Sequence, residues 1–169
     1  MKLWQYRDRG AGGINTHFDL ANNVTGTHIS EFPVGTYKKG HRHGPGRVIV
    51  IPAGEGYSIL WPEGQEKIIV PWHEGSVFTP PDRWFHQHFN VSVIPARYLA
   101  LAPLPQFSGH NEQVLDRTRD TIDYPDEELW VREKFDDELA NRGLTNLMPE
   151  EAYRTRDYKW AYDTEEEGA

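Results

Sequence analysis

Short apolar runs separated by turns fill the first part of the chain. Runs rich in β-branched and aromatic residues occur at 47–51, 57–61, 84–89 and 96–101, and proline and glycine clusters such as 44–46 stand between them. Strands of about five residues, with turns every eight to twelve residues, are typical of a β-sandwich or β-barrel. The pattern therefore predicts an all-β fold.

The pattern changes after residue 103. Val131, Phe135 and Leu139 recur at every fourth position, which predicts a helix with a narrow apolar stripe. Asp126 is placed to cap this helix, and Gly143 is placed to end it. The helix is expected to lie against the outside of the barrel or across a dimer, or else to cover the mouth of the barrel as a lid.

Charge also divides the chain, at about residue 110. Residues 110–169 hold 18 of the 26 acidic residues but only 8 of the 18 basic ones, and the whole chain carries a net charge of -8. We therefore expect a β-barrel with N-terminal strands over residues 1–109 and an acidic, partly helical C-terminal extension over residues 110–169. Since no strongly basic face is indicated, nucleic acid is not an expected partner.

The apolar runs are too short for membrane insertion. None approaches the roughly 18 residues that a transmembrane helix needs, and the first residues lack the apolar core of a signal peptide. We expect a cytoplasmic protein with no membrane partner. The sequence also contains no cysteine, so any metal site must use nitrogen and oxygen ligands.

Histidines are concentrated in two tripeptides. His41-Arg42-His43 and His86-Gln87-His88 hold four of the eight histidines in the chain. On a β-strand, side chains two residues apart point to the same face. Two such pairs on neighbouring strands would aim their imidazoles at one point inside a barrel, which is a metal-site hypothesis.

The spacing around both tripeptides resembles the two motifs of the cupin family. The first motif is matched by Gly35, His41, His43, Arg47 and Gly54, with Arg47 standing where a glutamate is usual. The second is matched by Gly75, Pro81, His86 and Asn90, with Arg83 in place of a usual glycine. The resemblance covers residues 27–104. It implies a single-domain, double-stranded β-helix (jelly-roll) barrel and a homodimer.

The same resemblance implies that His41, His43 and His86 bind one divalent metal ion. Fe(II) is the expected ion, and Mn, Ni, Cu and Zn are also compatible with the ligands. Because the glutamate ligand is missing, three neutral imidazoles would leave the ion its full +2 charge. Such a centre lowers the pKa of bound water and favours an anionic, chelating substrate.

Four further residues are candidates for the site. Arg47 has three interpretations: it clamps a substrate carboxylate, it turns outward to pair with an acidic residue, or it prevents metal binding. His88 is a fourth ligand, an acid/base group or a hydrogen-bonded core histidine. Tyr57 and Trp84 are predicted to line the substrate pocket, although most aromatic residues are expected to belong to the core.

Three classes of function remain open at this point. Three-histidine iron cupins that resemble this pattern include thiol and diketone dioxygenases. The leading hypothesis is therefore a non-haem Fe(II) dioxygenase acting on a small anionic or aromatic substrate, in which Arg47 orients the substrate and His88 moves protons. The alternatives are a non-redox metal-dependent lyase, isomerase or hydrolase, and a non-enzymatic barrel that binds a small ligand.

Overall fold

Eleven strands form two antiparallel sheets in a computed structural model that describes residues 4–5, 10–19, 25–44, 46–103 and 117–160. The strands are β1 Trp4–Gln5, β2 Ile14–Asp19, β3 Thr25–Phe32, β4 Gly40–His41, β5 Val48–Ala53, β6 Glu55–Trp61, β7 Ile68–His73, β8 Val77–Phe78, β9 Phe85–Asn90, β10 Ala96–Pro103 and β11 Thr121–Ile122. The helices are α1 Arg117–Asp120 and α2 Leu129–Ala140, with 3-10 turns at Tyr124–Asp126 and Glu150–Tyr153. Pro45, in one of the predicted turns, lies outside the described residues.

From β3 onward the chain crosses repeatedly between the two sheets, and among the described strands only β6 and β7 are consecutive strands of the same sheet. One sheet has the order β1-β2-β3-β10-β5-β8, and the other has the order β11-β4-β9-β6-β7. The predicted double-stranded β-helix arrangement is confirmed. β11, which comes from the C-terminal extension and pairs with β4, was not predicted from the sequence.

The strand predicted from the run at 47–51 extends two residues further than expected. β5 continues to Ala53, which pairs with Arg97 of β10. Between the Arg97–Ala53 and Leu99–Val50 pairs the register shifts, so that two residues of β5 lie opposite one residue of β10. This bulge accommodates Pro52, because a bulged position does not need the backbone N–H that proline lacks.

Buried side chains form two separate clusters, one on each side of the five-stranded sheet. The inner core lies between the two sheets and includes Phe32, Ile49, Trp72 and Tyr98. The outer core lies between the five-stranded sheet and the C-terminal extension, and its members include Tyr37, Tyr57, Phe89, Phe135 and Leu139. The C-terminal extension therefore completes a hydrophobic core.

The predicted C-terminal helix is confirmed as α2, and its apolar stripe is buried in the outer core. It lies on the outside of the barrel and not as a lid. Gly143 follows the helix with a φ of +68°, as expected for its end. The predicted cap is wrong: the carboxylate of Asp126 accepts hydrogen bonds from Arg156 instead, at 2.8 and 2.5 Å. None of the helices in the described part of the chain is long and apolar enough to cross a bilayer.

Candidate metal centre

Two neighbouring strands bring the predicted ligands together. His41 of β4 lies directly opposite His86 of β9 in the antiparallel pair, and His43 follows His41 by two residues. The ring centroid of His86 lies 4.3 Å from that of His41 and 4.8 Å from that of His43. One ring nitrogen from each of the three residues lies within 4.8 Å of the others. The three histidines therefore form the group that the resemblance implied.

Backbone carbonyls orient two of these rings. Nδ1 of His41 lies 2.9 Å from the carbonyl oxygen of Lys39, and Nδ1 of His86 lies 3.1 Å from that of Trp84. Because a carbonyl oxygen can only accept, each Nδ1 carries the hydrogen, and each Nε2 keeps its lone pair. Metal-binding histidines in proteins are held in this way.

The donor set fits a divalent metal ion. Imidazole nitrogens are common ligands of such ions, and here one from each of three histidines lies within 4.8 Å of the others. Neutral nitrogen donors suit Fe(II), Ni, Cu and Zn, and Mn is compatible with them. Among the described residues, no carboxylate joins the group, so a bound ion would keep its +2 charge.

The three histidines open into a small polar cavity. Its volume is about 40 Å³. Its lining residues are Asn15, His28, Lys38, His41, His43, Gly46, Arg47, Ile49, Pro80, Pro81, His86, His88, Tyr98 and Ala100. None of these is acidic. The size and charge of the cavity favour a small anionic ligand.

Arg47 lines this cavity. It precedes β5 and is half-buried. The residue that stands in the place of the usual glutamate therefore lies where the substrate-clamp hypothesis requires it. The role of its guanidinium remains a proposal.

His88 also lines the cavity but is not one of the three grouped ligands. Its ring centroid lies 5.6 Å from that of His86, and its Nδ1 lies 2.7 Å from Oγ of Ser58. That oxygen accepts a hydrogen bond of 3.0 Å from the indole N–H of Trp72. The histidine is thus a hydrogen-bonded residue whose Nδ1 is held by Ser58.

Tyr57 and Trp84 do not line the cavity, and their assignment to the substrate pocket is corrected. Tyr57 lies in the outer core and stacks on Phe89, with ring centroids 4.5 Å apart. Strand alternation is the reason, because its neighbour Ser58 points inward. Trp84 precedes β9, so the alternation of that strand does not orient it. It borders an outer groove with Trp130, and only its carbonyl reaches the site, through His86.

The sequence reasoning missed several residues of the cavity. Three of them, Lys38, Asn15 and Tyr98, are buried and carry polar groups. Asn15 and Tyr98 flank Ser30 on neighbouring strands, so they share the inner face of the six-stranded sheet. The alternation of inward and outward side chains along β10 would have predicted that Tyr98 points into the barrel. No local signal marks Lys38, because it precedes the first residue of β4.

The middle residues of both histidine tripeptides point outward and bind the C-terminal extension. Arg42 Nε donates to Asp120 at 2.8 Å, and Gln87 Nε2 donates to Glu127 at 3.0 Å. The hydrogen bond from Arg119 is the main cause that holds the pKa of Asp120 below its usual range, and the hydrogen bond from Arg42 adds to it. Hydrogen bonds on the outer side of β4 and β9, the strands that carry two of the three histidines, therefore connect them to the C-terminal extension.

Comparison with solved structures supports the fold. No protein-family model matches the sequence, and a search of curated proteins gave no match. An oxalate decarboxylase from Lactobacillus farciminis in a formate complex is 15% identical, with a TM-score of 0.53 over 61% of this chain and 31% of that one. A deletion mutant of Bacillus subtilis oxalate decarboxylase is 14% identical, with a TM-score of 0.50 over 54% of this chain and 26% of that one.

A cupin 2 conserved barrel domain protein from Rhodopseudomonas palustris is 16% identical, with a TM-score of 0.48 over 61% of this chain and 68% of that one. The matches to the oxalate decarboxylases span less than a third of the length of those proteins. At these identities the similarity is one of fold.

Proposed function

We propose that this protein, which has the cupin fold, is a metal-dependent enzyme acting on a small acidic substrate, and specifically a non-haem Fe(II) dioxygenase. The observation that carries the proposal is the convergence of His41, His43 and His86 in a cavity that Arg47 also lines. When bound, a redox-active ion such as Fe(II) supplies the activation of O₂ beside the substrate.

The residues around the triad have distinct proposed roles. Arg47 binds a substrate carboxylate through its planar, two-pronged guanidinium. His88 exchanges protons at Nε2, because its Nδ1 is held by Ser58. Both groups line the same cavity as the triad. The volume of about 40 Å³ favours a compact acid over an aromatic substrate.

A non-redox activity is the second candidate. The same small cavity, whose lining has no acidic residue, suits a lyase that uses a metal ion as a Lewis acid on a small acid. In that case Arg47 and His88 keep their roles in binding the acid and moving a proton. Isomerase and hydrolase activities rest on the same chemistry, but no separate observation favours them.

The first test is the metal content of the protein. Purified without added metal or chelator, it is expected to carry about one divalent ion per chain, measured by elemental analysis. His41→Ala and His86→Ala are each expected to lower the metal affinity by at least about tenfold, with the β-sheet circular dichroism unchanged. His73→Ala, which changes an exposed histidine, should keep the wild-type metal content. Full occupancy in both ligand variants would reject the assignment.

The second part of this test separates the candidate functions. Fe(II)-loaded protein is mixed with small mono- and dicarboxylic acids in an oxygen-electrode cell. Stoichiometric oxygen uptake with substrate loss supports the dioxygenase. Product formation without oxygen uptake supports the lyase, and bound metal with no turnover of any acid supports a ligand-binding barrel.

A further inference from the structure

Lys38 is a buried amine inside the cavity. Its side chain is 1% exposed, and Nζ lies 3.3 Å from the hydroxyl oxygen of Tyr98. The same nitrogen lies over two aromatic rings, 4.9 Å from the ring centroid of Tyr98 and 5.4 Å from that of Phe32. Among the residues that the structure describes, no carboxylate forms an ion pair with it. One hydroxyl and two ring faces therefore replace water around this amine.

These contacts leave the amine only partly compensated. Cation–π interactions offset only part of the free energy that an ammonium loses when it leaves water without a counter-ion. An ammonium has three N–H donors, and Tyr98 accounts for one of them. The remaining donors suit the oxygens of an anion in the cavity.

Asn15, which lines the same cavity, offers a further polar group. Its Nδ2 donates to Ser30 Oγ at 2.9 Å, while its buried Oδ1 has no hydrogen-bond partner. Rotating the amide by half a turn would let Oδ1 accept from the Ser30 hydroxyl and would place Nδ2 where the unpartnered oxygen now lies. In that orientation the amide offers a free donor in a residue that lines the cavity. Lys38, Tyr98 and Asn15 together form what we call the inner wall.

We propose that the inner wall is a second anion-binding subsite, and hence that the ligand of this cavity is a compact acid with two anionic groups, such as a short dicarboxylate. One acidic group binds at Arg47 and the metal site, and the other binds Lys38. The assignment of the first group rests on the proposed function, but the binding of the second depends only on residues of the inner wall. A ligand with one acidic group leaves Lys38 uncompensated.

Binding of malonate and acetate tests this proposal directly. Malonate has two carboxylates and acetate has one, and both are titrated by calorimetry at pH 7 into metal-free and Zn(II)-loaded protein. Wild-type protein is expected to bind malonate at least about tenfold more tightly than acetate in both states. Lys38→Met is expected to lower the malonate affinity by about tenfold and to leave the acetate affinity within about twofold.

Lys67→Met is the matched control. Lys67 Nζ also lies over two aromatic rings, at 5.1 Å from the Trp61 centroid and 5.7 Å from the Trp130 centroid, but it borders the outer groove and not the cavity. Its replacement should leave both affinities unchanged. Tyr98→Phe keeps the ring under Lys38 and removes the hydroxyl, and a loss of malonate affinity of several-fold is expected.

Stability distinguishes a binding residue from a structural one. Replacing a buried cation by an apolar side chain of similar length leaves a protein equally or more stable when the charge has no partner. Lys38→Met should therefore unfold at the wild-type temperature or above it in the absence of ligand. A lower unfolding temperature together with unchanged malonate affinity would show that Lys38 is structural.

The outcomes separate this proposal from the proposed function. Equal affinities of the wild-type protein for malonate and acetate overturn the second subsite, whatever the state of the metal site and whether or not Lys38→Met folds. If the triad binds no metal, the metal-free titrations still decide the proposal. If metal binds and Lys38→Met keeps its malonate preference, the inner wall fails while the metal assignment stands.

Discussion

Asn90 joins three segments of the barrel through one side-chain amide. It is completely buried, and its Nδ2 donates to the backbone oxygens of Pro33 and Ile94 at 3.0 Å and of Phe32 at 3.3 Å. Its Oδ1 accepts from the backbone N–H of Ser92 at 2.9 Å and from the Ser92 hydroxyl at 2.7 Å. This residue of the second motif therefore supports the barrel two residues beyond His88, and does not line the cavity.

Asn90→Asp should destabilise the protein strongly. The substitution keeps the shape but places a carboxylate oxygen against carbonyl oxygens that need a donor. We expect the free energy of unfolding to fall by about 3 kcal/mol or more, measured by urea denaturation at pH 7. Asn141→Asp, at an exposed position after α2, should change it by less than about 1 kcal/mol. Similar losses of unfolding free energy in both variants would contradict the role of the Asn90 amide in supporting the barrel.

At the level of secondary structure elements, α2 depends on the five-stranded sheet. It has no side-chain hydrogen bond at its N-terminal cap, and its buried residues are Val131, Phe135 and Leu139. Phe135 is completely buried, and its ring lies 4.9 Å from that of Tyr37 and 5.7 Å from that of Phe89. Tertiary contacts thus stabilise the helix more than its own sequence does.

Phe135→Ala tests this dependence. Removing a fully buried phenylalanine side chain should lower the free energy of unfolding by about 3–5 kcal/mol, measured by urea denaturation. Leu129→Ala, on the same helix, removes a side chain that is 69% exposed and should cost less than about 0.5 kcal/mol. Equal costs would mean that the outer core does not stabilise the barrel.

At the level of the whole molecule, Glu127 links the extension to the barrel. The hydroxyl of Tyr37 and Nε2 of Gln87 both donate to its carboxylate. Burial raises the pKa of Glu127 from 4.5 to about 7, although both hydrogen bonds oppose the rise. Because the pKa of the folded state is higher, the protonated carboxyl stabilises the fold fully below about pH 4.5. This contribution is lost as the pH rises through about 7.

The free energy of unfolding should therefore contain a component that falls between about pH 4.5 and 7 and is absent in Glu127→Gln. Urea midpoints measured across this range would reveal it. Glu128→Gln is the control, because Glu128 is an exposed neighbour whose pKa is lowered, first by a hydrogen bond from Lys67. Glu128→Gln should show the same decrease in the free energy of unfolding with pH as the wild-type protein. Identical pH profiles for wild-type protein and Glu127→Gln would exclude Glu127 as the source.

The sequence by itself determined the features that depend on local spacing. Turn clusters and β-branched runs identify the strands, the interval of four residues identifies the buried stripe of α2, and the two-residue interval places His41 and His43 on one face. The resemblance to the cupin motifs added His86 as the proposed third ligand. The strands, the stripe and the His41–His43 pair are properties of neighbouring residues, which is why they can be predicted without coordinates.

Only the tertiary structure decided which strands are neighbours and which faces are covered. Tyr57 belongs to the outer core because α2 covers that face of β6, and Lys38 enters the cavity because the chain before β4 turns toward Tyr98. These outcomes depend on contacts between residues far apart in the sequence, at chain separations of 60 residues for Lys38 and Tyr98. The sequence therefore grouped the three histidines of the candidate metal centre, whereas only the structure placed Lys38 in the cavity beside them.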